Sequence, residues 1–121
     1  MRISIAAVAL LALTSAAFAA TEEEIMASRY GNTLVIKDMF GTSRVYYNRD
    51  HTFEALSWVA TVKGTWKIEN GKMCLYAIDP PLVYRAKYSN PECDAIEVKQ
   101  VGDKWDIGSR HYELVQGIQK P

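Results

Sequence analysis

The chain reads as a small all-β domain: an antiparallel β-barrel or curled sheet of about eight strands, opened by a short N-terminal helix. Three observations carry that expectation. Short runs rich in Val, Ile, Thr, Tyr, Phe and Trp recur from Gly31 onward, separated by turn residues at roughly the 8–12-residue spacing of sandwiches and barrels. No long segment of 3.6-residue period interrupts them, which excludes βαβ units. The pair Asn70-Gly71 divides two alternating runs and marks a tight hairpin.

The first residues have a different texture. Arg2 supplies a positive start, Ile3 to Leu13 is an apolar run, and Ala17-Phe18-Ala19 is a small-x-small cleavage site. That is the anatomy of a secretory signal peptide over residues 1–19, leaving a single domain over 20–121. A membrane anchor is disfavoured because a bilayer span needs about 20 apolar residues. No cysteine stands near the cleavage site to carry a lipid. The mature chain is expected to begin at Ala20, with no membrane span, free in the periplasm or secreted.

One domain of this length buries one core, with modest stability. The whole chain has 14 basic and 14 acidic residues, and loss of Arg2 leaves 13 against 14. Charge this balanced, without basic clusters, argues against nucleic acid as a partner. Cys74 and Cys93 are the only cysteines, and in an exported chain they are expected to pair. Closing a loop of about 20 residues contributes on the order of 3 kcal/mol. Without Cys-x-x-Cys or His-x-x-x-His spacing, neither a metal site nor a reactive thiol pair is expected. No cofactor is implied.

The elements follow in order. Thr21 to Arg29 reads as a helix: Thr21 and Glu24 form a capping box, Glu22–Glu24 suit the positive end of the dipole, and Gly31 stops it. The strand runs are Thr33 to Lys37, Arg44 to Tyr47, Thr52 to Ser57, Val59 to Lys63, Thr65 to Glu69, Lys72 to Ala77, Val83 to Tyr88, Ala95 to Val101, Lys104 to Ile107 and Tyr112 to Gln116. Asp79-Pro80-Pro81 breaks the chain, since Pro81 cannot donate to a ladder. A type I′ turn at Asn70-Gly71 sets Glu69 opposite Lys72, Ile68 opposite Met73 and Trp66 opposite Leu75. The last four then face the core. Lys67 and Cys74 fall on the other face, so the disulfide is expected outside the main core. A second hairpin joins Val45–Tyr47 to Thr52-Phe53, and a third turn lies at Val101–Trp105. The expected core is Leu34, Ile36, Phe53, Trp66, Ile68, Met73, Leu75, Ile96, Val98, Trp105 and Leu114.

Little in the chain announces a reaction. His51 follows Asp50 and could serve as a base, but it sits in a tight turn, where histidine tolerates positive φ. His111 and Glu113, two apart on one strand face, form the other titratable pair. Gly-x-Ser-x-Gly and glycine-rich phosphate loops are absent. Tyrosine dominates the aromatics, and tyrosine suits wet interfaces and amphipathic pockets. Tyr84, Ala86 and Tyr88 would alternate on one strand face. The candidate ligand-binding residues are Tyr47, Tyr76, Tyr84, Tyr88 and Tyr112.

Gly31-Asn32-Thr33-Leu34, then Tyr46-Tyr47-x-x-Asp50-x-Thr52-Phe53, then Gly64-x-Trp66-x-Ile68-x-x-Gly71-x-x-Cys74-Leu75, followed by Cys93 and by Gly102-Asp103-x-Trp105, resembles the small uncharacterised periplasmic proteins of proteobacteria that share a G-x-W…G-x-x-C…C pattern. The pattern spans most of the chain after residue 19 and consists of turns, aromatics and cysteines, so it implies a fold rather than a reaction. His51 departs from it, standing where glycine would follow the turn aspartate. The Gly-x-Trp strand and single disulfide also resemble calycin-type barrels, the group of lipocalins and small periplasmic protease inhibitors. The resulting expectation is a binding barrel for a small apolar or amphipathic ligand. The alternative is an interaction module, such as an envelope inhibitor or stress-related partner. A small enzyme using His51 or His111 comes third.

Overall fold

The computed structural model describes residues 19–121; the signal-peptide expectation falls on residues 1–19, nearly all outside that range. Helix α1 (Glu22–Met26) precedes strands β1 (Thr33–Asp38), β2 (Gly41–Tyr47), β3 (Thr52–Leu56), β4 (Thr61–Glu69) and β5 (Lys72–Ile78). Helix α2 (Leu82–Lys87) follows, then β6 (Glu92–Ala95), β7 (Lys104–Ile107) and β8 (Arg110–Val115). The strands form one antiparallel sheet in the order β6-β5-β4-β3-β2-β1-β8-β7, curled into a half-barrel whose open edges are β6 and β7.

Turn chemistry sets the register. Asn70 and Gly71 both take positive φ, 51° and 73°, as a type I′ turn requires. Glu69 therefore faces Lys72, Ile68 faces Met73, Trp66 faces Leu75 and Lys67 faces Cys74, as expected. Along β4, buried Val62, Gly64 and Trp66 alternate with exposed Thr61, Lys63, Thr65 and Lys67. Gly64 has no room for a side chain: a Cβ there would collide with the Tyr76 carbonyl and the Phe53 ring. The close approach lets the sheet coil at this point. Cys93 lies directly opposite Cys74, and the disulfide joins them across β5 and β6. Cys74 is buried, yet it sits on the face away from the main core cluster.

Helix α1 closes one end of the half-barrel. Its capping box is complete: the Glu24 amide donates to Thr21 Oγ1 and the Thr21 amide to Glu24 Oε1. Ile25 and Met26 then insert into the cluster of Leu34, Val45, Tyr47, Phe53, Val62, Trp66, Met73 and Tyr112. Met26 is fully buried and Trp66 is 2% exposed. Burial of this kind, rather than helix propensity, holds so short a helix.

The helix expected over Thr21 to Arg29 ends at Met26, with Ala27 to Arg29 in a turn, and the structure departs from the expected strands and core as well. The run Val83 to Tyr88 is helical up to Lys87, with only Tyr88 extended: Pro81 provides a start with pre-set φ, and the Tyr84 and Arg85 amides both turn back to its carbonyl. β6 ends at Ala95, and the chain to Val101 crosses the closed end of the half-barrel without strand pairing. There Arg29 and Ser28 bind the Glu97 and Lys99 carbonyls, taking the place of a ladder. Val98 is accordingly 42% exposed rather than part of the core. The two runs on either side of Gly64 form the single strand β4, because glycine there bends the strand without ending it.

Candidate functional site

Strand alternation aims one set of side chains into the concave face. It encloses a cavity of about 280 Å³, close to the lower bound of about 300 Å³ usual for small-molecule sites. Its apolar wall includes Leu34, Val45, Phe53, Val62, Met73 and Leu75. The floor is at α1, beside Arg29. The mouth is at the opposite end, where the β1–β2 and β3–β4 connections bring Phe40, Trp58 and Val59. Trp58 is 80% exposed, and its Nε1 donates to the Phe40 carbonyl across 3.2 Å, tying the two loops together.

Tyr47, Tyr84, Tyr88 and Tyr112 line this cavity. Tyr76 does not. It pairs with exposed Thr65 on the outer face, and its hydroxyl donates to Glu69 Oε1 at 3.0 Å. Tyr84 and Tyr88 converge through helical spacing: one turn apart, their ring centroids are 4.9 Å apart, while Ala86 is exposed. Burial pushes the Tyr84 hydroxyl up to about 12 and raises those of Tyr88 and Tyr112. Tyr47 rises furthest, again through burial, with the charge of Arg29 opposing. All four are neutral donors at neutral pH.

The charged residues of the cavity were not anticipated. Arg110, at the start of β8, reaches across the gap between the sheet edges. Its guanidinium meets Glu92 at 2.7 Å and Asp94 at 3.3 Å, both on β6, and Asp38 at 3.9 Å. These ion pairs link β8 to β6 across the gap where no ladder runs. Burial works to lower the Arg110 pKa, but hydrogen bonding and the Glu92 charge outweigh it, and the group stays cationic. The disulfide carried a signal for this arrangement. With Cys93 pinned opposite outward-facing Cys74, period-two alternation turns Glu92 and Asp94 inward.

Arg29 is different. It is 3% exposed, and its two terminal nitrogens donate only to backbone carbonyls, Nη1 to Ile25 at 2.7 Å and Nη2 to Glu97 at 3.2 Å. Its Nε is buried without a hydrogen-bond partner among the described residues. Burial lowers its pKa. The Tyr112 hydroxyl is also buried, and it lies beside the Arg110 guanidinium.

The histidines lie outside the cavity, near opposite ends of the half-barrel. His51 takes φ 66° in its turn, lies tilted against Trp66 with ring centroids 4.2 Å apart and contacts Glu22 at 2.9 Å. His111 is exposed and contacts Asp106 at 2.7 Å. Among the described residues no group of three or more His, Cys, Asp or Glu side chains is arranged to hold a metal, and no helix is long and apolar enough to cross a membrane. No family model matches the chain, and no curated protein or solved structure is significantly similar to it.

Proposed function

We propose that this is a small binding protein that holds an amphipathic molecule inside the half-barrel and catalyses no reaction. The observation that carries this reading is the form of the cavity: closed at one end by α1, walled by apolar strands, with neutral phenols and two arginines inside and an apolar rim at the mouth. Such a surface accepts an apolar body and orients it by a few polar contacts. The disulfide fits an oxidising compartment. With the pattern of residues 1–19, it supports a periplasmic or secreted location.

The test is native mass spectrometry of the protein purified from its own cells with small molecules retained. A bound mass that disappears on denaturation is expected. A clean unliganded mass, with no shift on exposure to amphiphiles, overturns the reading. A second reading rests on the exposure of Met39 (84%), Trp58 (80%) and Leu82 (79%) around the mouth, which suits docking of another envelope protein. A protein partner copurifying with the unliganded chain, and lost on Trp58→Ser substitution, would favour it.

A further inference from the structure

Resting on the reading of the half-barrel as a ligand cavity, we propose that Arg29 receives the head group and that the ligand is an apolar monocarboxylic acid whose tail runs toward the mouth.

A buried guanidinium is ordinarily matched by a carboxylate. Arg29 has none among the described residues, and residues 1–18 contain no Asp or Glu. The nearby acids are already committed: Asp38, Glu92 and Asp94 surround Arg110. The floor of the cavity therefore carries an uncompensated positive charge. Arg29 Nε is moreover a donor desolvated without an acceptor among the described residues. A carboxylate supplies both the negative charge and the acceptor that Arg29 lacks, and a guanidinium binds it more strongly than it binds a neutral oxygen. The rest of the cavity offers hydrocarbon: Val45, Phe53, Val62 and Leu75 lead from this floor toward Phe40 and Trp58. A single charged end on an apolar chain matches that order.

The probes are octanoate, octanol and octylamine, titrated calorimetrically into the protein after its lipids are stripped. Octanoate is expected to bind at least tenfold more tightly than the other two. Arg29→Met should reduce octanoate to the level of octanol and leave octanol unchanged. Arg29→Lys, which keeps the cation but loses the planar fork, should weaken octanoate severalfold and serves if Arg29→Met does not fold. Equal binding of octanol, or a preference for octylamine, overturns the acid assignment while leaving the cavity reading intact. So does octanoate affinity that survives Arg29→Met. If none of the three binds the folded protein, the cavity reading falls and this proposal falls with it.

Discussion

Replacing Trp66 with alanine tests the packing that holds the cavity together. The indole is 2% exposed and stands between α1 and the sheet, edge-on to Tyr47 at 6.3 Å and tilted against Tyr30 at 6.2 Å. Its Nε1 donates to the Asn48 carbonyl at 3.0 Å, anchoring the β2–β3 turn. Truncating a buried Trp costs about 3–5 kcal/mol in lost burial and residual cavity. Loss of the hydrogen bond adds about 1 kcal/mol. The sum, about 5 kcal/mol, equals the whole stability of a marginal domain. At a urea slope of about 1.5 kcal/mol/M the unfolding midpoint should fall by about 3 M, or the variant should be unfolded without denaturant. Trp66→Phe keeps a ring in the slot but loses the Asn48 contact, and should cost about 1–2 kcal/mol. Equilibrium urea unfolding followed by far-ultraviolet circular dichroism measures both. A midpoint shift below about 1 M for alanine would refute the assignment of Trp66 to the load-carrying face. Equal losses for Phe and Ala would show that the hydrogen bond, not the ring, is what matters.

Two further outcomes follow from the same structure. Serine at both Cys74 and Cys93 releases a cross-link between residues 19 apart, and should lower stability by about 3 kcal/mol; a loss under about 1 kcal/mol would show that β6 is held by the Arg110 ion pairs instead. Burial raises the folded-state pKa of Tyr47, Tyr84, Tyr88 and Tyr112 above the ordinary phenol value of 10.0. The folded state keeps these protons longer than the unfolded chain, so their contribution is full below pH 10 and is lost as pH rises toward about 12, the value reached by Tyr84. Near-ultraviolet titration should show these four phenols ionising together with unfolding. Smooth ionisation of all seven tyrosines near pH 10 with the fold intact would contradict their burial.

The amino-acid sequence was sufficient wherever structure is built by near neighbours. Thr21 and Glu24 are three residues apart, so their reciprocal cap could be read directly. Asn70-Gly71 determines its own turn, and a period of two carries that register out to Trp66 and Leu75 without help from the rest of the chain. Two cysteines could pair in only one way. The tyrosine-rich lining was legible as composition, but its geometry was not. Val83-Tyr84 looks like a strand, and only Pro81 and the packing of Tyr84 and Tyr88 beside Arg110 make it a helix. The strand propensity of Val and Tyr is a weak preference that such contacts override.

Tertiary structure alone decided the charged part of the site. Arg110 meets Asp94 across 16 residues, and Arg29 meets Glu97 across 68. Neither partnership has a local signature, because each exists only once the sheet has curled and brought its edges together. What makes Arg29 distinctive is likewise a property of its surroundings: a guanidinium is common in any sequence, and its burial without a carboxylate is set by the folding of α1 onto the floor of the half-barrel. Short-range pairing could therefore be derived from residue order, whereas the chemistry of the cavity required the closure of the sheet.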